Sequence, residues 1–237
     1  MRKDLTRRKF MSAAGAAIVA GTAATTASAQ TMGKTRAKTI RVIGVCCSPR
    51  KGKTTAASLK VALAAVEEVS PDIEVELIEL AGMKIEGSLA AGVPLDPGQK
   101  DDFPKLIPKL SDPKVAGIII GTPVYFGNMT SLCKAFLDRC IAFRKNNFAL
   151  SNKVAGVLAV GGARNGGQEI TIQSVQAALL CQEMIIVGDS RPGGRIGATV
   201  WNDGNGDVTK DKFGMESARN LGHRVAKVAL QLTSAAK

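Results

Sequence analysis

The sequence is poor in the side chains that usually carry acid–base or metal chemistry. It has one histidine, His223, on a predicted helix, and five cysteines, none of them in a C-x-x-C spacing. An odd number of cysteines does not close a disulfide framework, and Cys133 and Cys140 lie seven residues apart on one predicted helix, too far to bridge each other. We therefore expect most of the cysteines to be small buried side chains, and we predict no catalytic side chain and no metal site.

Aromatic residues are also scarce, at 4% of the chain, with a single tyrosine and a single tryptophan. The formal net charge is +12, but the Lys and Arg residues are scattered, and the chain has no motif of a DNA- or RNA-binding protein. Nucleic acid is therefore not an expected partner. The charge favours a basic surface that meets an acidic partner or an anionic ligand.

The first part of the chain has the composition of an export signal. It contains a twin arginine, Arg7-Arg8, then a weakly hydrophobic run of Ala, Gly and Thr that ends in a small-x-small cleavage motif. Such a run makes a poor membrane-spanning helix. We predict a twin-arginine (Tat) signal over residues 1–29, a linker over 30–39 and a domain over 40–237. The expected location is periplasmic or otherwise exported, with no membrane attachment after cleavage.

From residue 40 onward, apolar runs typical of strands alternate with helical stretches. Four runs are nearly continuous, as in buried parallel strands, and the second alternates as an edge strand does. The predicted strands are Ile40–Cys46, Ile73–Leu80, Val115–Gly121, Val154–Val160 and Met184–Val187. The predicted helices are Thr54–Val69, Phe103–Leu110, Met129–Arg144, Gln168–Cys181 and Lys212–Leu232. This alternation predicts an α/β domain, a doubly wound parallel sheet with helices on both faces.

The stretch CCSPRKGKTT, residues 46–55, links the first predicted strand to the first helix. It ends like an ATP-binding P-loop, but Cys47 stands where that motif requires a glycine, and no acidic residue ends the third strand. Hydroxyls, backbone N–H groups and a helix N-terminus instead suit a single phosphate group with cations beside it. The alternative is a simple N-cap, in which Ser48 or Thr54 closes the start of the helix.

Two more loops follow the third and fourth predicted strands, at the edge of the sheet where ligands of such domains bind. The loop PVYFGN, residues 123–128, contains the only tyrosine beside a phenylalanine and a glycine, which together suit close packing against a flat ring. The loop VGGARNGGQE, residues 160–169, has four glycines whose backbone groups suit a polar ring edge, and Arg164 suits partial negative charge. The alternatives are aromatic side chains that cap the core and glycines that only form turns.

These loops resemble those of the flavodoxin-like NADPH-dependent FMN reductase family, including its iron–sulfur flavoprotein branch. The resemblance covers residues 40–230 and is most specific in GTPVYFGNMTSLCKAFLDR, residues 121–139. It implies a flavodoxin-like fold with a five-stranded sheet in the order 2-1-3-4-5, and FMN as cofactor. The iron–sulfur branch carries a cysteine cluster after the second strand, whereas residues 81–102 contain no cysteine. The resemblance therefore does not extend to the cluster or to its one-electron relay.

Carried over position by position, the resemblance implies three groups of FMN contacts. The phosphate group would be held by Ser48, Arg50, Lys53, Thr54 and Thr55, of which Lys53 stands at a position that is small or polar in most relatives. The ring system would be bordered by Pro123, Val124, Tyr125, Phe126, Gly127 and Asn128. Its other edge would be lined by Gly162, Ala163, Arg164 and Gly167.

The implied activity is that of an FMN-dependent oxidoreductase, in which flavin N5 receives electrons from a reduced donor and passes them to an acceptor. The donor that the resemblance implies is NAD(P)H. Because NAD(P)H is scarce outside the cytoplasm, the alternative expectation for an exported protein is that it takes electrons from a quinol, a cytochrome or another exported carrier, or is the carrier itself. The expected partner is a small-molecule donor or acceptor, or an exported redox protein. Relatives often form homodimers or homotetramers. Two alternatives stay open: a non-catalytic flavodoxin-like electron-transfer protein, and a flavin-free protein that has kept the fold.

Two segments fall outside the strand–helix alternation. Residues 81–102 are predicted to be a long loop, and residues 190–211 an irregular insertion after the last strand. The insertion holds the only tryptophan, Trp201. We expect Trp201 either to cover the flavin or an interface, or to anchor the loop on the surface.

Overall fold

The computed structural model describes residues 40–235, so the predicted signal and linker lie outside the described residues. The strands are β1 (Ile40–Cys46), β2 (Ile73–Glu79), β3 (Val115–Pro123), β4 (Val154–Gly161), β5 (Ile185–Val187) and β6 (Ala198–Trp201). The helices are α1 (Thr54–Glu67), α2 (Ile107–Leu110), α3 (Ser131–Arg139), α4 (Ile141–Lys145), α5 (Gln168–Leu180) and α6 (Lys212–Ala235). Short 3-10 turns occupy Gly87–Ala91 and Phe103–Lys105.

The strands form one parallel sheet in the order β2-β1-β3-β4-β5, as the resemblance implies, and a sixth strand, β6, also pairs with β4. β1, β3 and β4 are almost fully buried because helices cover both of their faces, which explains their continuous apolar sequences. β2 lies at one edge and is only partly buried, in agreement with its alternating pattern.

Two apolar cores lie on opposite faces of the sheet. On one face, α1 packs against α6, and Leu59 and Leu221 are fully buried between helices and sheet. On the other face, α2 to α5 cover the sheet around Phe103, Phe136 and Phe143. Within residues 40–235, no helix has the length and apolar character that a membrane crossing requires.

The insertion after β5 differs from the prediction. It is not irregular throughout, because residues 198–201 form β6, which pairs with β4 beyond the end of β5. β5 pairs with residues 154–156 of β4 and β6 with residues 158–161, so the two short strands occupy one position at the edge of the sheet. The predicted helix 129–144 is also divided, because α3 ends at Arg139 and α4 begins at Ile141.

Candidate functional site

The three predicted loops meet at the carboxyl edge of the sheet. β1 and β3 are paired up to Cys46 and Gly121, and β3 and β4 up to Pro123 and Val160, so all three strands end at the same edge. The loops that follow them are residues 47–53, 124–130 and 162–167, which we call the first, second and third loops. Ligands of doubly wound sheets bind at this edge.

The first loop leads into α1 without a side-chain cap. Lys53 occupies the N-cap position, and within residues 40–235 no side chain caps this helix and no acidic residue lies in its first turn. The loop is shaped by Gly52, whose φ is +66° and whose N–H donates to Glu79 Oε2 at 2.7 Å. The N-terminal N–H groups of α1 and the positive end of its dipole are therefore available to an anion.

The hydroxyl groups predicted to hold a phosphate are buried at this helix start, while the cations are exposed. Ser48, Thr54 and Thr55 are 2%, 4% and 1% exposed. The Ser48 hydroxyl bonds within its own turn, accepting from Arg50 N and donating to Arg50 O, both at 3.2 Å. The Thr55 Oγ1 is buried and has no hydrogen-bond partner among the described residues. A buried hydroxyl without a partner is costly, and Thr55 lies in the first turn of an uncapped helix, so its Oγ1 suits a ligand that accepts a hydrogen bond there. The Arg50 and Lys53 side chains lie at the surface beside it.

The second loop is a tight hairpin turn. Tyr125 and Asn128 exchange two backbone hydrogen bonds, of 2.8 and 3.0 Å, across Phe126 and Gly127, which both have positive φ, at +51° and +72°. Two successive residues of positive φ are typical of a type I′ turn, which is unfavourable for a phenylalanine. The Phe126 side chain is nevertheless fully exposed and Tyr125 is 45% exposed, so neither ring caps the core. The strained turn presents both rings at the edge of the sheet.

A threonine joins the first and second loops. Thr130 caps α3, since its Oγ1 accepts from Cys133 N at 3.1 Å. The same hydroxyl donates to Cys47 O at 2.8 Å, across 83 residues of sequence. Thr130 N in turn donates to Thr122 Oγ1 at 3.3 Å. Thr130 was not among the predicted site residues, although a threonine directly before the first residue of a helix is an ordinary N-cap signal.

The third loop is held by Gln168, the first residue of α5, which is fully buried. Its amide donates to Ala163 O at 2.6 Å and to Val200 O at 3.3 Å, and its carbonyl accepts from Gly166 N at 2.8 Å. Gly167, with a φ of +95°, packs so closely on the second loop that a Cβ there would lie 2.9 Å from Gly127 Cα. The second and third loops therefore touch, and Gln168 was not among the predicted site residues.

Arg164 has a partner within the protein. Its guanidinium forms an ion pair with Asp211, a fully buried N-cap of α6 that also accepts from Trp201 N at 2.7 Å and Gly214 N at 2.8 Å. Trp201 Nε1 donates to Gly162 O at 3.1 Å, so the indole ring is fastened to the third loop. The predicted contact of Arg164 with a ligand stays a prediction. Its charge is already partly balanced by Asp211.

The buried thiols near the first loop are inert at neutral pH. Burial raises the pKa of Cys46 to about 11, and burial beside Cys133 raises the pKa of Cys47 well above its usual value. These thiols therefore stay protonated and do not act as nucleophiles. Four of the five cysteines are buried as expected, whereas Cys181 is exposed. Over residues 40–235, no three His, Cys, Asp or Glu side chains gather in a way that would hold a metal ion.

Comparisons of the sequence with known proteins point to a family of flavin-dependent enzymes. The family described as NADPH-dependent FMN reductase matches residues 40–193. The chain is 38% identical over 192 residues to an iron–sulfur flavoprotein of Methanocaldococcus jannaschii, a match that covers 80% of this chain and 97% of the relative. It is 30% identical over 194 residues to an NAD(P)H dehydrogenase (quinone) of Aromatoleum aromaticum, with 77% and 86% covered.

A solved structure shares the fold. The flavodoxin, WrbA-like protein of Agrobacterium tumefaciens superposes with a TM-score of 0.55 at 20% identity, over 82% of this chain and 99% of that one. A doubly wound sheet with an uncapped helix start, an exposed aromatic turn and a glycine-rich loop at one edge is thus found in a chain with clear sequence similarity to proteins named as flavoproteins and quinone dehydrogenases. The chain belongs to the NADPH-dependent FMN reductase family and is an FMN-dependent oxidoreductase with a flavodoxin-like fold.

Proposed function

We propose that the mature protein works outside the cytoplasm as an FMN-dependent oxidoreductase of the NAD(P)H-dependent FMN reductase or quinone reductase type. Bound FMN supplies the redox chemistry, taking electrons from a reduced donor and giving them to an acceptor. The observation that carries the proposal is the open start of α1 with the buried, unpartnered hydroxyl of Thr55. A phosphate group would satisfy both features at once.

The first loop has the donors that one phosphate group requires. The Thr55 and Thr54 hydroxyls and the N-terminal N–H groups of α1 donate, and the exposed Arg50 and Lys53 side chains balance the charge. Glu79 lies close by, but its carboxylate faces Gly52 N, where it fixes the turn. The site suits one dianion and lacks the glycine that a P-loop uses to wrap a second phosphate.

The second and third loops suit a flat ring. The Tyr125–Asn128 hairpin presents apolar rings and the Gly127 backbone on one side, and the third loop presents backbone N–H and C=O groups on the other. Gln168, Trp201 and Thr130 hold these loops in place by hydrogen bonds to their carbonyl groups or to the neighbouring loop. The role of the chain is thus to bind, orient and partly shield the ring, and no acid–base pair is needed.

The first experiment asks whether the pigment is present. The purified mature protein is expected to be yellow, and heat denaturation is expected to release a compound whose mass and absorbance are those of FMN. Apoprotein should bind one FMN per chain in a fluorescence titration. A colourless protein that takes up no FMN would leave the flavin-free alternative standing.

A second experiment separates an enzyme from an electron carrier. Steady-state oxidation of NADPH and NADH is measured with a quinone and with ferricyanide as acceptors. Turnover with a quinone supports the reductase, in line with the relatives named NAD(P)H dehydrogenase (quinone). If the holoprotein binds FMN but is reduced only by a quinol or a cytochrome, the chain is an electron-transfer protein that serves a periplasmic partner.

The export part of the proposal rests on the twin arginine and the cleavage motif in the sequence. Replacing Arg7 and Arg8 by lysine should keep the protein in the cytoplasm, as measured by cell fractionation. As a control, Lys34→Arg and Arg36→Lys lie after the predicted cleavage motif and should leave export unchanged. Equal distribution of both variants would contradict export by this route.

We also propose that the molecule is a homodimer or homotetramer. Phe126 is fully exposed, Tyr125 is 45% exposed and Ile170, in the first turn of α5, is 62% exposed. A second copy is the occupant that would cover apolar side chains so close to the site. Light scattering should show an oligomer for the parent and a smaller species for a Phe126→Ser variant. A monomeric parent would refute the proposal.

A further inference from the structure

A basic cleft lies outside the FMN site, between the insertion and α6. We define the basic cleft by Arg191 and Arg195 on the insertion and by Asn220, His223, Arg224 and Lys227 on α6. Its volume is about 680 Å³, within the usual range of small-molecule sites. No carboxylate lines it. The flavin loops contribute none of its residues.

The charge of the basic cleft is local and does not follow from the composition. Residues 40–235 contain 23 Lys and Arg residues against 19 Asp and Glu residues, so their average charge is close to balance. The four α6 residues recur at spacings of three and four, which places them along one side of the helix. Arg224 and Lys227 are exposed and form no ion pair with a described residue. The same holds for Arg191 on the opposite wall.

Both walls of the basic cleft are structurally fixed. On the insertion side, the fully buried Asp189 accepts from Arg195 N and Arg195 Nη1, both at 2.6 Å, and from Ser217 Oγ of α6 at 2.7 Å. Asp189 therefore binds the insertion to the helix. It also balances most of the charge of Arg195. On the α6 side, His223 is paired with Glu68 at 3.0 Å.

We propose that the basic cleft binds a small, multiply charged anion with two or more phosphate groups. Arg191 contacts one end of this anion from the insertion, and Arg224 and Lys227 contact the other end from α6. Three unpaired cations on two walls suit a ligand with more than one anionic group, since each wall then has a partner of opposite charge. Asn220 offers a neutral hydrogen-bonding group between them. Glu216 lines the adjoining cavity of about 230 Å³ and disfavours extension of the anion in that direction.

The test uses FMN-saturated protein, so that the phosphate cradle of α1 is filled, and inorganic pyrophosphate as the probe. Isothermal titration calorimetry at about 0.15 M salt should show one saturable site per chain. Orthophosphate should bind at least about tenfold more weakly, since it loses one charge-assisted contact. Affinity should fall as the salt concentration rises.

The matched variants locate the site. A double change of Arg224→Gln and Lys227→Gln keeps good helix formers on α6 and should weaken pyrophosphate binding by about a hundredfold. The control changes Lys60→Gln and Lys145→Gln, which are two exposed lysines elsewhere, and should alter affinity by about twofold or less. Circular dichroism checks that both variants fold.

Two outcomes would overturn the proposal: no saturable binding to the parent protein, or unchanged affinity in the Arg224/Lys227 variant. If binding is instead lost in a Thr55→Val variant and kept in the α6 variant, the probe occupies the FMN phosphate cradle. That result would refute the basic cleft while leaving the flavin site intact.

Discussion

The unpartnered hydroxyl of Thr55 leads to a prediction in which stability and affinity change in opposite directions. Thr55→Val keeps the shape of the side chain and removes its Oγ1, which is buried without a hydrogen-bond partner among the described residues. In the apoprotein, this removes the desolvation cost of a polar atom, so the free energy of unfolding should rise by about 1 kcal/mol. In the FMN complex, the same change removes a hydrogen bond to a charged phosphate, worth about 1.5–3 kcal/mol. The Kd for FMN should therefore rise by about 10- to 100-fold.

The assay needs both quantities from one preparation. Urea unfolding of apoprotein gives the stability, and quenching of flavin fluorescence gives the Kd. Thr171→Val is the matched control, because Thr171 is also fully buried, also lies early in a helix and also has an unpartnered Oγ1. It should raise the stability of the apoprotein by a similar amount and leave the Kd unchanged. If Thr55→Val left FMN affinity as it was, or lowered it no more than Thr171→Val, the assignment of the phosphate cradle would be wrong.

Three further predictions concern the loops and the buried groups. Gly167→Ala adds a Cβ at positive φ and against the second loop, so thermal shift of the apoprotein should report a loss of at least about 1 kcal/mol, together with weaker FMN binding. Asp211→Asn removes the buried carboxylate that pairs with Arg164 of the third loop and caps α6, so the free energy of unfolding measured in urea should fall by about 3 kcal/mol. The control Asp138→Asn, in an exposed ion pair, should lower it by less than about 1 kcal/mol. The pKa of the buried Cys46 thiol, raised by burial to about 11, makes the unfolded state release its proton first, near pH 9. The contribution of Cys46 to stability is therefore complete below pH 9 and should be lost between pH 9 and 11, a loss that Cys46→Ala reduces by about 2–3 kcal/mol in urea unfolding at these pH values.

The fold could be predicted from the sequence largely because buried parallel strands have continuous apolar sequences. Apolar runs such as Ile40–Cys46, each followed by a helix, are best buried as parallel strands of one sheet with helices on both faces. β6 was missed because it has four residues between a glycine and an Asn-Asp turn, too few for any periodicity to show. The division of the helix at Cys140 was missed because both halves keep their apolar side chains on the same core.

The site could be predicted only as far as local sequence determines it. The position of the three loops follows from where strands end, and the position of Thr54 and Thr55 from where a helix begins. The residues that hold the loops together were not predictable, because their partners are distant in sequence: Thr130 bonds across 83 residues, and Gln168 across 32. Arg164 was predicted to contact the ligand, and nothing nearby in the sequence indicates its partner Asp211, 47 residues later.

Because β5 and β6 share one position at the edge of the sheet, the segment between them is a place where the chain can tolerate an insertion. Val187 pairs with Gly156 of β4, and Ala198 pairs with Leu158. The ends of β5 and β6 are therefore separated by one β4 residue, Val157, although ten residues, 188–197, connect them in the sequence. A single glycine in place of residues 188–197 would restore an unbroken strand in the same register. The sheet therefore sets no fixed length for this segment, but its contact with α6 depends on the buried Asp189. A graft that keeps Asp189 could thus carry new recognition on an unchanged redox scaffold.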